Sequence, residues 1–584
     1  MKEYWNILPT PPDTFYEEHK NLPKSIADLL FHRDITTPEK INEFLHPDYS
    51  RDVHDPFLFL DMQKSVDRIF DAVKNNQKIV IHGDYDADGV SGSVILKTFF
   101  EAINYDNVSV FLPHRETDGY GLNVKTMERL ATEDTKLIIS CDCGISNAQE
   151  VARANELGVD VIITDHHSMP QELPPAFAII HPKRQDETYP DKNLSGGGVA
   201  FKLMQGLLQE HKKTNETLPN GEKHDAFEKW LLDMVAISSV ADMVPLLGES
   251  RTLTKYGLIV LNKTKRIGLK KLMIESKIMH EDGSIKYNLD ATSIGFKIAP
   301  RINAAGRIGH ANVAYELLMT KKGTDAVDLA YELEQNNNER RGITKSLIED
   351  AQEQINAQKD SPIIFVLGKD WPPGLVGLIA GNIKTQTKKP TIVMSEQAEH
   401  IMGSGRSVKG FNFVQAMQQN KEHLDKFGGH PMAGGFTLQT KQSLEAFKQA
   451  MIEDFKKQEQ QGEIKEEVDI DAVINLEDIN WNLYDLLEKF EPFGQMNQRP
   501  KYLAKGVKVV SVNPLGAEGK HMRLTVQHNT LKIVKVVAWR CCDGAEENWC
   551  TMLKPNDIID LVFEIGVNEW NGNKQLQLTA VDLD

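Results

Sequence analysis

Carboxylate and imidazole side chains gather directly after short apolar runs of this 584-residue chain. The runs are KIVI, TKLIIS and VDVIIT, and the polar residues that follow them are His82, Asp86, Asp88, Asp142, Asp165, His166 and His167. Such runs are typical of buried parallel strands, whose carboxyl ends meet at one edge of a sheet. Carboxylates and imidazoles brought together there are ligands for divalent cations. The sequence therefore predicts a metal site at this edge.

Asp242 follows a further apolar stretch, LLDMVAISSVA, which we also interpret as a strand. With Asp242 the set offers more ligands than one cation needs, so it indicates two cations that share a carboxylate. Asp142 stands in the middle of the set and is the candidate for the shared ligand. Two cations about 3.5–4 Å apart suit in-line displacement at phosphorus, because one activates water and the other stabilises the leaving oxygen. Taken singly, a D-x-D sequence is more often a solvated turn and a His pair a surface feature.

The composition bounds the class of protein. The chain is long enough for three or four domains, and 40% hydrophobic with 26% charged residues is typical of globular proteins. No run of 18 apolar residues and no signal-peptide pattern occur, so we expect neither a membrane span nor secretion. Five cysteines, an odd number, favour packing or surface roles in a reducing cytoplasm over a disulfide framework. A net charge of −17 argues against coating of nucleic acid through global charge, but it permits a nuclease with one basic channel.

The order of segments predicts an α/β protein with a C-terminal barrel. Residues 1–75 have a helical pattern, and we expect them to pack on the first α/β domain. Residues 76–324 alternate strand-like and helix-like runs, which is typical of a parallel sheet. A long polar helix over 325–360 then leads to a second α/β domain over 361–454. After a charged linker, short alternating runs separated by Gly and Asn turns over 466–584 predict a small β-barrel.

Glycine-rich segments of the chain carry side chains that suit a phosphate group. PRINAAGR contains Arg307, GSGRS contains Ser404 and Arg406, and KFGGHPMAGG contains His430. Glycine lets backbone N–H groups approach an anion, and arginine binds phosphate bidentately. Each segment alone is more often a structural turn, but together they predict a phosphate platform that faces the metal site. Two alternatives stay open: Trp371 either stacks on a base or packs, and the run LSGGGVAF either cradles a phosphate or forms a tight turn.

The motifs taken together resemble the RecJ family of the DHH phosphoesterase superfamily. The resemblance runs in order through HGDYDADG, PHRETDGYGLN, DCGIS, TDHH, ADMVPL, PRINAAGR, SGRS, GGHPMAGGF and PFGQMNQRP. It implies a parallel-sheet DHH domain, a long helix to a DHH-associated α/β domain, and an OB-fold barrel. It also implies an exonuclease dependent on Mn²⁺ or Mg²⁺ that degrades single-stranded DNA 5′ to 3′, to nucleoside 5′-monophosphates, in repair and recombination. A cytoplasmic monomer is expected, with single-strand-binding protein and a RecQ-type helicase as candidate partners.

Carried over position by position, the resemblance assigns roles at the metal site. The implied ligands are His82, Asp86, Asp88, Asp142, His166 and Asp242. Asp84 and Asp165 are expected to orient these ligands. His167 is expected to contact the scissile phosphate.

The resemblance also assigns substrate contacts. Arg115, Ser404 and Arg406 match the family's 5′-phosphate pocket, and Arg307 matches a phosphate-contacting position. The complete set of predicted contacts is Arg115, Arg307, Ser404, Arg406, His430 and Trp371. Two departures concern fine contacts but not the metal site: Pro372 stands where the family usually has His, and QMNQ replaces a common G-N-P sequence. In the barrel, the residues considered for stacking or charge contacts are Lys520, His521, Arg523, Trp539 and Trp570, of which Trp539 could instead belong to the core.

Two rival functions remain from the sequence. A DHH enzyme acting on short oligonucleotides or cyclic dinucleotides would share the metal set but would not need the barrel. An inactive DHH-fold scaffold at replication forks would be expected to lose ligands, whereas every expected ligand is present here.

Overall fold

The computed structural model describes residues 4–460, 467–529, 533–542, 548–570 and 573–584, without the side chains of residues 4 and 570. The strands are β1 (Tyr4–Ile7), β2 (Lys78–Gly83), β3 (Val108–Phe111), β4 (Thr135–Cys141), β5 (Asp160–Thr164), β6 (Ala178–Ile180), β7 (Ile364–Lys369), β8 (Thr391–Glu396), β9 (Ile401–Arg406), β10 (Leu424–His430), β11 (Ala433–Leu438), β12 (Glu467–Ile470), β13 (Ala472–Val473), β14 (Tyr502–Leu515), β15 (His521–Gln527), β16 (Ile533–Ala538), β17 (Ile558–Trp570) and β18 (Asn573–Leu583). The helices are α1 (Asp13–Glu18), α2 (Lys24–Phe31), α3 (Pro38–Leu45), α4 (Tyr49–Asp52), α5 (Met62–Lys74), α6 (Ala87–Ala102), α7 (Val124–Thr132), α8 (Ala148–Glu156), α9 (Gly196–Lys212), α10 (His224–Trp230), α11 (Leu232–Ala241), α12 (Gly248–Leu261), α13 (Ile267–Glu275), α14 (Ala291–Ser293), α15 (Ala299–Ile308), α16 (Asn312–Met319), α17 (Gly323–Asp350), α18 (Gln352–Asn356), α19 (Pro373–Thr387), α20 (Phe413–Gln419), α21 (Ser443–Gln460), α22 (Trp481–Glu488) and α23 (Trp549–Met552).

The chain divides into two compact units. One, here called the two-sheet unit, contains His54–Val244 and Leu253–Glu466. The other, here called the barrel unit, contains Met1–Val53, Pro245–Thr252 and Glu467–Asp584.

A five-stranded sheet of the order β3-β2-β4-β5-β6 forms the first part of the two-sheet unit, and all its pairings are parallel. The predicted runs KIVI, TKLIIS and VDVIIT are the strands β2, β4 and β5, and these strands are almost wholly buried. Burial on both faces explains why they are apolar throughout instead of alternating. The predicted parallel sheet is confirmed.

A second sheet of the order β10-β11-β9-β8-β7 lies further along the same unit. β7 and β8 are parallel, and the other pairings are antiparallel. The 28-residue helix α17 connects the two parts, as the polar helical pattern predicts. It packs on α13, α15 and α16 of the first part and on α19 of the second, so it joins the two parts by contact as well as by sequence.

The predicted C-terminal barrel is confirmed in the barrel unit. The strands run in the order β14-β15-β16-β18-β17, and β17 pairs again with β14, which closes the sheet. β15 alternates buried and more exposed residues along its length, as a closed sheet around a small core requires. The antiparallel pairing is interrupted once, where β16 and β18 run parallel.

The N-terminal segment differs from the sequence prediction. Residues 1–53 belong to the barrel unit, not to the first α/β domain, and only the following residues join the two-sheet unit. β1 pairs with β12, and Ile26, Leu29 and Phe44 share one apolar core with barrel residues. The helical pattern of this segment shows that it has a face to bury, but not which partner buries it.

The segment that departs from the family pattern forms a buried polar junction inside the barrel unit. Asn497 has no exposed surface, and its Nδ2 donates to the carbonyls of Phe490 and Pro492 at 2.7 and 3.0 Å. Its Oδ1 accepts a 2.9 Å hydrogen bond from Nε of Arg33. Arg33 also donates to the carbonyl of Gln498 at 2.7 Å. One amide therefore satisfies two backbone carbonyls and a nearly buried guanidinium.

The cysteine expectation is corrected in one respect. Cys542 and Cys550 form a disulfide, and their Cα atoms are 5.3 Å apart, within the usual range for this bond. Cys141, Cys143 and Cys541 are free thiols, as expected. Among the described residues, none of the helices combines the length and the apolar character that a membrane crossing needs.

Replacement of Asn497 by alanine should destabilise the barrel unit. The substitution leaves two buried carbonyls and one guanidinium N–H without partners, so we expect its free energy of unfolding to fall by about 2–4 kcal/mol. Hydrogen–deuterium exchange of peptides from the barrel unit measures this change separately from the two-sheet unit. Asn513→Ala, at an exposed position of β14, is the matched control and should change it by less than about 0.5 kcal/mol. A similar small change for Asn497→Ala would contradict the role given to this amide.

Candidate metal centre and phosphate pocket

The register of the first sheet brings three aspartates to the same level. Gly83 pairs with Cys141, which pairs in turn with Thr164, and these are the last residues of three adjacent parallel strands. The residue after each strand is therefore an aspartate at the same edge: Asp84, Asp142 and Asp165.

Three groups of side chains at this edge have ligand atoms within 4.8 Å of one another. One group contains Asp84, Asp86 and Asp142, and another contains Asp88, His166 and Asp242. The third contains Asp142, His166 and His167. Asp142 and His166 thus belong to two groups each, and Oδ1 of Asp142 lies 3.2 Å from Nε2 of His166. This arrangement has the form of two adjoining cation sites with Asp142 between them.

Several atoms of these groups, and one of the nearby predicted ligand His82, are buried without a hydrogen-bond partner. They are His82 Nε2, Asp84 Oδ1, Asp142 Oδ1 and His166 Nε2. A buried polar atom without a partner is costly, so such atoms are rare in folded proteins unless an ion or water completes them. Oxygen and imidazole donors in this number fit Mn²⁺ or Mg²⁺.

Electrostatics at the cluster also favour a bound cation. Burial and the neighbouring carboxylates raise the pKa of Asp142 and Asp84 well above the usual range. The same causes raise the pKa of Asp88 to about 6 and that of Asp242 to about 8. Burial lowers the pKa of His166 to about 3, which keeps it as the neutral imidazole that binds metals. The carboxylates repel one another, and divalent cations would remove that repulsion.

The glycines of LSGGGVAF serve a carboxylate of the cluster. They form the first turn of α9 after Ser195, and the N–H groups of Gly196 and Gly197 donate to the two oxygens of Asp88 at 2.8 and 2.6 Å. Ser238 also donates to Asp88 through its hydroxyl. The N-terminus of α9 thus binds the carboxylate of Asp88, an anion of the protein itself. The sequence had left two alternatives for these glycines, a phosphate cradle and a tight turn.

Close packing explains why a glycine stands at position 196. A Cβ added there would lie 2.4 Å from Oδ1 of Asp142. Asp142 itself has a φ of +62°, a left-handed conformation that is uncommon for a residue other than glycine. Non-glycine residues persist in this region mainly where the surrounding structure determines them, and such positions concentrate at functional sites.

Asp165 orients His167. Oδ1 of Asp165 lies 2.8 Å from Nδ1 of His167 and also accepts the backbone N–H of His166 and His167. Burial opposes a charge on His167, but the bond to Asp165 and the nearby carboxylates raise its pKa to about 9. The side chain of His167 is one-third exposed. Asp165 was predicted to orient the metal ligands, and that role stays a prediction.

Three metal-site expectations differ from the structure. Asp84 lies within a ligand group, although it was expected only to orient ligands. His82 lies outside the three groups found among the described residues, and packs beside Phe111 and Cys143. Asp242 caps the C-terminus of helix α11 and does not end a strand. The run before it is buried along its length, and such a run can be either a helix or a strand.

The predicted phosphate contacts converge on the N-terminal part of α19. A Cβ added at Gly374 would lie 3.4 Å from Cδ of Arg115, and Nη1 of Arg307 donates to the Gly374 carbonyl at 2.6 Å. One turn on, a Cβ at Gly377 would lie 2.8 Å from Nη2 of Arg406 and 3.1 Å from the hydroxyl of Ser404. The four predicted residues, Arg115, Arg307, Ser404 and Arg406, therefore lie close together beside the N-terminal part of α19, in a cluster here called the arginine pocket.

The arginine pocket concentrates positive charge in a partly buried place. Burial, then Arg115 and Arg340, lowers the pKa of Arg307 to about 10. Arg340, on α17, was not predicted; its Nη2 donates to Asn337 at 2.9 Å, and its Nε is buried without a partner. Positive charges that are held close together and partly shielded from water are stabilised by an anion such as a phosphate group.

The two remaining predicted contacts differ from each other. His430 is an exposed residue at the end of β10, and burial and then the charges of His167 and Lys183 lower its pKa, so its role as a substrate contact stays a prediction. Trp371 belongs to an apolar core, and its ring lies against Gly368. The structure therefore favours the packing alternative for Trp371 over stacking on a base.

Sequence reasoning missed three further side chains at the metal centre. The Tyr120 hydroxyl lies 3.1 Å from Nε2 of His167, and Tyr85 stacks beneath Arg115, whose guanidinium is 4.0 Å from the ring centroid. Lys183 donates to the carbonyl of His166 at 2.6 Å. Tyr85 and Tyr120 stand within the quoted motifs HGDYDADG and DGYGLN, so their place in those motifs was a usable signal; Lys183 had none.

In the barrel unit, Trp539 is 55% exposed and forms an edge contact with His521 at 5.0 Å between ring centroids. The structure thus favours a surface position for Trp539 over the core alternative. Arg523 is exposed on β15, and Lys520 is paired with Glu518. The side chain of Trp570 lies outside the described residues.

Family models match most of the chain. The DHH family N-terminal domain matches residues 78–238, the DHHA1 domain matches 360–457, and the RecJ OB domain matches 470–582. These matches and the metal centre define a DHH-type hydrolase with an added OB domain.

Comparison with individual proteins narrows this class. The single-stranded-DNA-specific exonuclease RecJ of Bacillus subtilis is 34% identical over 97% of this chain and 68% of its own length. RecJ of Thermus thermophilus in complex with Mn²⁺ matches with a TM-score of 0.81 and 26% identity, over 100% of this chain and 79% of that one. The Mg²⁺ complex of the same protein matches with a TM-score of 0.76 and 25% identity, over 99% of this chain and 78% of that one. The chain belongs to the RecJ family.

Substitution of Gly196 by alanine should weaken metal binding. The new Cβ would displace the Asp142 carboxylate, and changes to the groups that support metal ligands typically cost about 10- to 100-fold in metal affinity. Titration of the protein with Mn²⁺, followed by calorimetry, measures the effect. Gly342→Ala, which adds a Cβ with no atom within 4 Å, is the matched control and should bind Mn²⁺ as the unaltered chain does. Unchanged affinity in Gly196→Ala would mean that Asp142 does not hold the metal in this position.

Proposed function

We propose that this chain is a divalent-metal-dependent exonuclease that hydrolyses single-stranded DNA from the 5′ end and releases nucleoside 5′-monophosphates. The observation that carries the proposal is the connection between the metal centre and the arginine pocket. Arg115 stacks on Tyr85, Tyr85 contacts Tyr120 at 6.4 Å between centroids, and the Tyr120 hydroxyl contacts His167. A strand whose terminal phosphate occupied the pocket would thus extend toward the metal centre.

The ligand groups assign residues to two cations. Asp84 and Asp86 would hold one, Asp88, His166 and Asp242 would hold the other, and Asp142 would bridge them. When bound, the cations supply activation of a water molecule and stabilisation of the charge that develops on the phosphate. The N–H groups of α9 and the Ser238 hydroxyl fix Asp88 in place, so the protein contributes a preorganised site.

The remaining residues of the site position the substrate. His167, charged and held by Asp165, donates a hydrogen bond to a non-bridging oxygen of the scissile phosphate. Lys183, which donates to the His166 carbonyl, adds a positive charge beside the metal centre. The arginine pocket binds the terminal 5′-phosphate, which sets the direction of digestion because the phosphate of the adjoining nucleotide linkage is then the one presented for hydrolysis.

The exonuclease is favoured over the two rivals. The barrel unit contributes a surface tryptophan and an exposed arginine, of the kinds that hold long single strands, and a small-substrate enzyme would not need them. Each of the two cation positions has three ligand residues available, whereas an inactive scaffold would be expected to have lost ligands. Action as a cytoplasmic monomer in DNA repair, beside single-strand-binding protein and a RecQ-type helicase, is the wider setting that we propose.

Replacement of Asp142 by asparagine should remove catalysis. The bridging ligand would lose its charge at both cation positions, so we expect kcat to fall at least about 100-fold, since metal catalysis contributes several kcal/mol. Release of mononucleotides from a 5′-phosphorylated single strand with Mn²⁺ is the measurement. Asp134→Asn makes the same change at a surface residue with nearly the same backbone conformation, φ +63°, and should retain full activity. A loss of less than about tenfold in Asp142→Asn would exclude the bridging role.

Replacement of Arg406 by alanine should remove the preference for a terminal phosphate. A charged hydrogen bond contributes about 1.5–3 kcal/mol, so kcat/KM on 5′-phosphorylated strands should fall roughly 10- to 100-fold. Strands with a 5′-hydroxyl should be affected much less, because they lack the group that Arg406 binds. Arg341→Ala, on the exposed face of α17, is the control. Equal losses on both substrates would show that Arg406 serves general strand binding or folding.

A further inference from the structure

A cavity of about 330 Å³ lies in the barrel unit, where α3 and the start of α12 come together. Part of its lining is buried, as are Ile35, Phe44 and Arg251, and part is exposed, as are Lys40 and Met496. Small organic ligands occupy cavities of about this size, in which an apolar lining is combined with a few polar groups. The cavity therefore has the size and the mixed lining that such a ligand needs.

Arg251 brings a positive charge to the buried part of the cavity. Only 1% of the residue is exposed, and its guanidinium lies 4.0 Å from the centroid of the Phe44 ring. Its Nη2 donates to the carbonyls of Lys489 and Glu491 at 2.6 and 3.0 Å, whereas its Nε is buried without a hydrogen-bond partner among the described residues. A buried N–H group without an acceptor is costly, so this position favours an oxygen atom of a ligand.

The protein does not fully compensate the charge of Arg251. Burial lowers the pKa of Arg251 to about 9, although the Glu43 carboxylate opposes this change, and Arg33 adds to it. Arg33 also lines the cavity, but it has an ion-pair partner in Asp471 at 3.6 Å and donates to Asn497. An anion in the cavity would thus stabilise the charged form of Arg251 in particular.

The more open part of the cavity carries charges of both signs. Nε2 of His32 donates to the carbonyl of Pro9 at 2.9 Å, and its Nδ1 is a second atom that is buried without a partner in the described part of the chain. Lys40 and Asp34 are both exposed. Lys40 would attract an anion and Asp34 would repel it, so the charge at the opening can be changed in either direction without altering the buried part.

We propose that this cavity binds a small organic phosphate, namely a phosphate monoester with an apolar body. The phosphate group accepts from Nε of Arg251 and lies near Lys40, since arginine and lysine are the usual partners of phosphate. The apolar body packs against Ile35 and Leu247. The inference goes beyond the proposed function, because every lining residue belongs to the barrel unit and binding can be measured without hydrolysis. A nucleoside 5′-monophosphate, which the proposed reaction releases, is one source of this chemistry, and another phosphate monoester is the second.

The test measures binding of deoxyadenosine 5′-monophosphate and of phenyl phosphate to the full chain by calorimetry in EDTA. The chain carries Arg406→Ala, which weakens binding in the arginine pocket. Deoxyadenosine lacks the phosphate and inorganic phosphate lacks the apolar body, so these two are the matched ligands. We expect a monoester to bind at least about tenfold more tightly than either of them. Tight binding of the nucleotide alone identifies the first source, and tight binding of both monoesters identifies the wider class.

Two substitutions at the opening should change the affinity in opposite directions. Lys40→Glu should weaken binding of the monoester at least about fivefold, because it reverses a charge near the phosphate, whereas Asp34→Asn should strengthen binding. Lys20→Glu makes the same charge change at an exposed position of the barrel unit outside the cavity lining, and should leave the affinity unchanged. Arg251→Met should abolish binding, and hydrogen–deuterium exchange of the barrel unit checks that this variant is folded.

Hydrogen–deuterium exchange also locates the ligand, since the monoester should slow exchange in peptides that contain residues 32–44 and 247–252. The inference is overturned if neither monoester binds with a Kd below about 1 mM. It is also overturned if Lys40→Glu and Asp34→Asn both leave the affinity unchanged, or if the slower exchange is confined to the two-sheet unit. Binding with the expected pattern in a chain that does not hydrolyse DNA with Mn²⁺ would support the inference and overturn the exonuclease proposal.

Discussion

Repulsion among buried carboxylates is the constraint on which this structure depends. Asp84, Asp88 and Asp142 are almost inaccessible to water, and burial together with neighbouring carboxylates raises the pKa of each. The sheet makes this arrangement unavoidable, because the register aligns the ends of neighbouring strands. Only groups of opposite charge or hydrogen-bond donors can stabilise it. The fold supplies some of these, through the N-terminus of α9 and through His167, and divalent cations would supply the rest.

The arginine pocket presents the same problem with the opposite sign. Arg115, Arg307 and Arg406 lie close together beside the N-terminal part of α19, and burial lowers the pKa of Arg307 and of Arg406. Neither cluster balances its own charge. The carboxylates of the metal centre require cations, and the arginine pocket requires an anion. Under the proposed function, a DNA strand that spanned them would supply phosphate to both. This complementarity would let a chain with a net charge of −17 bind a polyanion, because local charge at the site matters more than the sum.

The sequence predicted most of the fold because its signals were local. Apolar runs followed by polar ligands identified β2, β4 and β5, and the alternating runs identified the barrel strands. The arginines predicted to contact phosphate were identified from the resemblance, and the structure places them close together. Predictions failed where the information was not local. A buried run cannot show whether it is α11 or a strand, and an amphipathic segment cannot show that 1–53 packs with the barrel.

The glycines of α9 show why some site residues escape recognition. Their function depends on a distance, since Gly196 must let the helix approach Asp142 while its N–H reaches Asp88. A sequence shows only that glycine is present, and a turn or a phosphate cradle explains that equally well. Tyr120 was missed for a related reason, because its position between two sites on different strands and helices is visible only in the structure. Metal ligands can thus be predicted from their residue type, whereas residues that support the ligands or let them approach one another are recognised only from the geometry of the structure.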